Sequence, residues 1–375
     1  MYCHYFADGV CRSCQWLTKP YQQQIHDKQM ELEALLAPFS ITEFQPVVKS
    51  EPAGFRNKAK MVVSGTAAEP RLGLGATEGQ QGSDLSDCLL YPEEIRQLFP
   101  VLKTFIRNAG LTPYQVDKKR GELKFLLLTI NEKNEVMLRF VLRSQDKIAS
   151  IRTHLPALLS QLPQLCVVSA NIQPVHMAIL EGEEEILLTQ TQELRQTING
   201  VPLFIRPQSF FQTNAQVASE LYATARRWTE ALDITHIWDL FCGVGGFGLH
   251  CTNKQRSLTG IEISAQAIAC AKKSAELLGF EQVDFHALDL TRTIATQGKQ
   301  PDLVIVNPPR RGLGVEISRY LNVCDAPYLL YSSCNAVSFA RDLEELNQYK
   351  AVKVQLFDMF PHTPHYEVLT LLVKR

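Results

Sequence analysis

An α/β fold built on a parallel sheet, preceded by a smaller α+β domain and a cysteine-rich N-terminal segment, is predicted by three features of the 375-residue sequence. From residue 236 onward, apolar runs alternate with helical segments, the signature of successive strand–helix crossovers. The last two runs, 351–357 and 366–373, are separated by only eight residues, too few for a helical crossover, so they pair antiparallel. At the other end of the chain, three of the ten cysteines fall within the first fourteen residues.

The length argues for two or three domains, placed at 1–92, 93–205 and 206–375, and 45% hydrophobic residues suffice for ordinary cores. A net charge of −1 gives no global signal for nucleic acid, so a polyanion must be held by a local patch. No apolar run reaches the roughly 18 residues of a membrane helix, and no basic-then-apolar leader is present. A cytoplasmic, membrane-free protein is expected. Cysteines stay reduced in that compartment, so clustered ones read as metal ligands or catalytic groups.

Cys3, Cys11 and Cys14 lie in a polar, glycine-containing segment too short to bury them by packing. Cys88, in the turn-rich stretch Leu85-Ser86-Asp87-Cys88, is the candidate fourth ligand. Four thiolates suit an iron–sulfur cluster or a tetrahedral zinc, and the spacing leaves both open. His4 competes for a zinc site, but is poorly placed beside Cys3 to ligate the same ion.

Residues 22–37 predict an amphipathic helix ending before Pro38, with Ile25, Leu32, Leu35 and Leu36 on one face. Alternation over 55–75 predicts strands, with Arg56, Lys58 and Lys60 beside Phe55. Between Arg96 and Lys124 there are seven Lys/Arg against Asp117 and Glu122, in a helix near 93–109 and the run Lys118-Lys119-Arg120. Such patches suit a phosphate backbone, or form a solvated face and hairpin tip. Strands near 123–130, 135–143, 165–173, 175–181 and 184–189, with a helix near 145–161, complete a mixed α/β substrate domain. The run Glu181 to Glu185 reads as a solvated turn, and Arg206 to Asn214 as a linker before a helix at 215–231.

The catalytic half opens at His236-Ile237-Trp238-Asp239-Leu240-Phe241-Cys242-Gly243-Val244-Gly245-Gly246-Phe247-Gly248, read as strand, tight turn and helix. Glycines there let backbone N–H groups approach a ligand at a helix N-terminus. Glu262 ends the next apolar run about 20 residues on, where doubly wound folds place a ribose-binding carboxylate. Further strands are predicted near 282–286, 302–307 and 327–332, with helices between. A parallel sheet closed by an antiparallel hairpin is the arrangement of Rossmann-like class I S-adenosylmethionine-dependent methyltransferases. A nicotinamide enzyme is the alternative, but its usual Gly-x-Gly-x-x-Gly turn is not matched.

Asn307-Pro308-Pro309-Arg310 follows the fourth strand at the carboxyl edge, where ligands bind. Amino-directed methyltransferases carry an aromatic after a similar Asn-Pro-Pro; Arg310 here argues against an exocyclic amine and leaves the loop to anchor cofactor, base or phosphate. Cys334, in Ser332-Ser333-Cys334-Asn335, sits where a helix starts and gains thiolate character from the helix dipole. It is the candidate nucleophile; Cys242 competes but lies in the cofactor turn. Glu367 starts the last strand on the same side of the sheet and is a candidate general base.

These residues together give a resemblance to the RNA (uracil-C5)-methyltransferases of bacteria, most closely those acting on 23S rRNA. It spans nearly the whole chain: the four cysteines, Phe55-Arg56-Asn57-Lys58, Gln208 to Asn214, Asp239 to Gly243, Asn307 to Arg310 and Ser333-Cys334-Asn335. The resemblance implies a [4Fe-4S] cluster on Cys3, Cys11, Cys14 and Cys88. It also implies S-adenosylmethionine contacts at Gln212, Phe241, Glu262 and Asn307, nucleophile Cys334 and base Glu367. Its expected substrate is a 23S rRNA loop or unassembled segment carrying uridine 747, with no DNA partner. Gly246 and Asn307 depart from a tRNA-directed relative, which carries asparagine and aspartate there. A tRNA-uridine or cytosine-C5 methyltransferase, and a non-catalytic iron–sulfur RNA sensor, are the alternatives.

Overall fold

The apolar runs after residue 236 join one sheet, in the order Glu43–Phe44, Tyr349–Phe357, Glu367–Lys374, Tyr328–Ser333, Leu303–Val306, His236–Leu240, Ser257–Glu262 and Val283–Ala287. Tyr328–Ser333 and the strands after it in this order are mutually parallel. Glu367–Lys374 runs antiparallel to both neighbours, as its short connection requires. This computed structural model describes residues 1–75, 82–177, 179–289 and 300–375. The helical segment expected between the strands near 282–286 and 302–307 falls largely outside the described residues. Among those described, no helix is long and apolar enough to cross a membrane.

The chain divides into two compact units, Met1–Ser13 with Ala53–Arg195, and Cys14–Pro52 with Gln196–Arg375. The stretch 1–92, expected as one N-terminal region, is therefore shared between them. Its helix Tyr21–Leu36 belongs to the sheet of the second unit: Leu32 and Leu36 share a core with Trp238, Val306, Tyr331 and Phe339. Glu43–Phe44 extends that sheet by pairing parallel to Tyr349–Phe357.

Polar side chains of the N-terminal helix fasten the connection between the last two strands. Lys28 is wholly buried, and its Nζ lies 2.5 Å from Asp358 Oδ1, 3.1 Å from the Phe360 carbonyl and 2.9 Å from the His365 carbonyl. Tyr21 donates to the other Asp358 oxygen at 2.7 Å, and the His362 N–H donates to Gln24 Oε1 at 2.8 Å. Burial pushes the Lys28 ammonium down, and Asp358 pulls it back up. Every strong donor and acceptor in this pocket is matched, the condition for a buried ion pair to persist.

Arg206 to Asn214, expected as a linker, is built into the same unit. Asn214 is fully buried, caps the helix Ala215–Glu230 by accepting from the Val217 N–H at 3.2 Å, and donates to Ser50 Oγ at 2.8 Å.

The first unit carries a sheet in the order Ser83–Asp84, Pro70–Leu74, Lys58–Gly65, Leu123–Ile130, Val136–Leu142, Leu165–Ile172 and Glu184–Leu187. One face packs on the helices Leu98–Asn108 and Ile148–Gln161 through Phe99, Leu102, Ile106, Ile151 and Leu158. The helix expected at 93–109 is split at Gln97 into Glu93–Arg96 and Leu98–Asn108, because Pro100 has no N–H to give the Arg96 carbonyl. The strand expected near 175–181 does not form among the described residues there. Pro174 breaks the ladder, and Asn171 closes the loop by accepting from the Gly182 N–H at 2.7 Å and donating to its carbonyl at 3.0 Å. The acidic run beyond is no mere solvated turn: Glu181 and Glu185 pair with buried Arg139, Glu185 at 2.9 Å to Nε.

Removing Lys28 strands a buried carboxylate. Lys28→Ala is expected to lower stability by about 3–5 kcal/mol in urea unfolding. Lys19→Ala, which breaks the partly exposed pair with Asp27, is expected to lower it by no more than about 1 kcal/mol.

Candidate active site

Strand His236–Leu240 leads into a turn with left-handed backbone at Phe241, Gly243 and Gly245 (φ +65°, +54° and +87°), followed by the helix Gly246–Cys251. The glycines serve different ends. A Cβ on Gly243 would meet nothing within 4 Å, so the cradle above it is open. A Cβ on Gly246 would come 2.7 Å from the Tyr222 hydroxyl, so tyrosine packing excludes a side chain there. Glu262 Oε2 accepts from the Gly243 N–H at 3.3 Å and Oε1 from the Ser264 N–H at 3.0 Å, which fixes the carboxylate at the mouth of the turn.

Beside it lies a pocket of about 460 Å³ lined by Phe241, Glu262, Leu288, Asp289, Pro309 and Arg311, among others. Phe241 and Glu262 fall where a nucleoside site was expected. Gln212, which is buried, and half-buried Asn307 lie outside the lining. Asp289 was missed by sequence reasoning; its signal is an acid just beyond the third apolar run, the position Glu262 occupies after the second.

Across the Pro309 to Arg311 stretch is a second pocket of about 280 Å³, lined by Cys334, Arg310, Asn335, Glu31, His365 and Tyr366 among others. One loop thus divides the two cavities, Arg311 facing the first and Arg310 the second. Asp342 holds that loop: it accepts from the Leu313 N–H and the Tyr331 hydroxyl, both at 2.7 Å. Gly312 (φ +85°) leaves room for this carboxylate, which a Cβ would meet at 2.3 Å. Asn335 donates to the Arg310 carbonyl at 3.1 Å and caps the helix Ala336–Glu345.

Cys334 precedes that cap, and its thiol is not lowered as a helix N-terminus suggested. Burial and the Glu367 carboxylate push it up, while the Arg310 guanidinium, hydrogen-bonded to the sulfur, pulls it down. Arg310 and Cys334 line the same pocket, a pairing not legible in Asn-Pro-Pro-Arg alone. Glu367 is buried at the start of the last strand and accepts from Ser332 Oγ at 2.6 Å. Burial raises its carboxyl to about 7, against a smaller lowering by Ser332. Asp239 is likewise raised to about 7 by burial, with a 2.7 Å hydrogen bond from the Gly248 N–H opposing. His365 is held below its usual range by burial, with Arg310 and Lys28 adding to the effect.

In the first unit, Cys3, Cys11 and Cys88 are half-buried. Burial pushes the Cys88 thiol up, the Leu90 N–H opposes it, and the neighbouring Cys11 and Cys3 raise it further. Cys14 is the first residue of the second unit. Among the described residues, no group of three or more His, Cys, Asp or Glu is gathered into metal-ligating geometry.

The parallel sheet with an antiparallel last strand, its glycine turn and its acid-lined pocket define a class I S-adenosylmethionine-dependent methyltransferase. Residues 20–375 match the family described as tRNA (uracil-5-)-methyltransferase. The chain is 60% identical over 375 residues, all of both chains, to the 23S rRNA (uracil(747)-C(5))-methyltransferase RlmC of Serratia proteamaculans. It is 58% identical over 99% of both chains to the RlmC of Pectobacterium carotovorum. Among solved structures, the tRNA (uracil-54, C5)-methyltransferase of Pyrococcus abyssi in complex with S-adenosyl-L-homocysteine matches with a TM-score of 0.79 and 25% identity, over 96% of this chain and 85% of that one. The protein belongs to the uracil-5-methyltransferase family and is an S-adenosylmethionine-dependent RNA (uracil-C5)-methyltransferase.

A carboxyl raised in the folded state is protonated there while the unfolded chain has already ionised. Stability therefore falls as pH rises from the unfolded value, near 4.5, through about 7. Glu367→Gln removes that dependence: between pH 4 and pH 8 its stability relative to wild type is expected to rise by about 3 kcal/mol in thermal unfolding. A constant difference would show that Glu367 titrates normally.

Proposed function

We propose that the protein methylates C5 of uridine 747 in 23S rRNA, with Cys334 as nucleophile and Glu367 as the base that removes the C5 proton. The observation that carries this reading is the convergence of Cys334, Arg310 and Glu367 on one side of the Asn-Pro-Pro loop, with the Glu262 pocket on the other. The substrate follows from full-length relatives whose names specify that base. A flexible rRNA loop, or a segment not yet assembled, supplies a base that can leave its stack.

C5 of uracil is too weak a nucleophile to take a methyl group unaided. Cys334 Sγ, its negative charge shared with the Arg310 guanidinium, forms a bond to C6, and electron density moves to C5 and O4. Bound S-adenosylmethionine supplies an electrophilic sulfonium methyl. Phe241 and Glu262 would hold its nucleoside part beside the turn, and Gln212 and Asn307 are the further contacts the resemblance implies. C5 would take the methyl as the sulfonium S–CH3 bond breaks, leaving S-adenosylhomocysteine, and Glu367 then takes the C5 proton. The C–H electrons re-form C5=C6, and the C6–S bond breaks to return the Cys334 thiolate. A carboxyl near 7 suits this step, because it is half ionised at neutral pH and strong enough to accept the proton.

Tritium release from a 23S rRNA transcript labelled at uracil C5 tests the chemistry. Release should require Cys334, and Cys334→Ala should bind the cofactor without turnover; turnover by that variant sinks the mechanism. Glu367→Gln should accumulate a covalent RNA adduct. Ser332→Ala should move the acidic limb of the rate profile to higher pH, since the hydrogen bond that lowers Glu367 is gone.

A [4Fe-4S] cluster on Cys3, Cys11, Cys14 and Cys88 is part of the same proposal. Cys3, Cys11 and Cys88 lie within electrostatic reach of one another, a set of sulfur donors of the kind a bound cluster would hold as thiolates. Its role is structural support or RNA binding, since methyl transfer moves no net electrons. Protein purified without oxygen should contain about four iron and four acid-labile sulfides, and Cys11→Ser should lose them together with yield or RNA affinity. Zinc in place of iron would overturn the assignment.

A further inference from the structure

The cations of the first unit sort themselves by pairing. Of the seven cations between Arg96 and Lys124, Arg96 pairs with Glu93 and Lys103 with Asp84. Arg107 donates to the Ala68 carbonyl, and Lys124 is buried. Lys118, Lys119 and Arg120 are exposed and have no ion pair among the described residues.

They form a built tip. The Gln115 N–H donates to the Arg120 carbonyl at 2.8 Å, and the Tyr114 N–H to the Leu123 carbonyl at 2.8 Å. Gly121 (φ +100°) allows the return: a Cβ there would sit 2.1 Å from the Pro113 carbonyl oxygen. Behind the tip, the exposed His176 ring lies end-on to Tyr114, centroids 6.2 Å apart and planes 15° from parallel, with its Nδ1 bonded to the Tyr114 hydroxyl. Lys124 Nζ lies 4.6 Å from the Tyr114 ring centroid and donates to the Val175 carbonyl at 2.5 Å, tying the two loops together. Val116, Val175 and Met177 are also exposed.

We propose that this tip and platform form a single-stranded RNA site outside the active site: Lys118, Lys119 and Arg120 take phosphates, and a base stacks on the His176 ring, which the hydrogen bond to Tyr114 holds in place. Unpaired cations beside a flat aromatic ring with apolar edges are what an unstacked nucleotide needs. A protein partner would use the apolar residues but leave three adjacent cations unmatched; RNA uses both. The site deepens the proposed rRNA methylation and rests on it for the identity of the RNA.

The test measures the Kd of the full-length chain for a 23S rRNA hairpin transcript containing uridine 747, by fluorescence anisotropy over a salt series, beside tritium release. Lys118→Ala/Lys119→Ala/Arg120→Ala should weaken binding at least about tenfold and reduce the salt slope by about 2, near 0.7 for each lost phosphate contact. Its kcat at saturating RNA should stay at the wild-type value. His176→Ala should weaken binding by about fivefold or more with the slope unchanged, and His176→Phe should restore it. Wild-type affinity and slope in the triple variant, or wild-type affinity in His176→Ala, would overturn the site. Binding is read without turnover, so the two readings fail separately. No tritium release with the expected changes in Kd would sink only the methylation.

Discussion

A carboxyl group shut away from water at the start of the last strand sets the terms for the catalytic unit. Glu367 keeps a proton to about pH 7 because little around it favours the charge. Such a group cannot be placed by local propensity, since a glutamate left to itself turns to solvent. It is carried inward by the register of Glu367–Lys374 between Tyr349–Phe357 and Tyr328–Ser333, where Phe357 faces Glu367 and Ser333 faces Val368. The preceding connection, which must reverse direction without swinging, is held by Lys28. The N-terminal helix thus frames the buried carboxyl, although 330 residues of chain separate it from the strand it steadies.

The same economy governs the thiol. Cys334 stands near a buried carboxyl that opposes its ionisation, so the thiolate needs a fixed cation, and Arg310 is that cation. Arg310 in turn depends on Asp342, whose carboxylate pins the loop through Leu313 and leaves Gly312 no room for a side chain. Two acids, one at the start of the last strand and one on the helix Ala336–Glu345, and one arginine on the loop after Pro309 therefore divide the labour. One acid opposes the charge on sulfur, the arginine stabilises it, and the other acid holds the arginine's loop in place.

How much of this the sequence shows follows from the range of each interaction. The parallel sheet was legible because alternation and connection length are local properties, and the antiparallel last strand follows from a connection too short for a crossover. The place of Glu262 beside the glycine turn was legible from its spacing, and that of Cys334 between a strand and a helix from the alternation; the roles of both belong to the proposal. What was missed depends on distant contacts: Arg310 on sulfur, Asp289 in the pocket wall, and the fastening of 358–365 by Tyr21, Gln24 and Lys28. The thiol was misjudged for the same reason. A helix N-terminus can be read from the chain, but burial and a carboxyl 33 residues later cannot. In the first unit, the acidic run looked solvated because its partner, Arg139, sits on a strand 42 residues earlier.

Charge on the first unit makes the same point. Counting Lys and Arg along the chain suggests a basic helix and a basic hairpin, and both read equally well as RNA contacts. Folding separates them. A cation already satisfied by an acid gains little from a phosphate, because it must give up one partner to take the other. An unpaired cation loses only water and counterions. The helix cations Arg96 and Lys103 are of the first kind, and the tip cations are of the second. An enzyme whose overall charge is −1 can still hold a polyanion if its acids are spent on particular bases, leaving others bare. The distribution of pairing, which no composition records, decides where the nucleic acid lies.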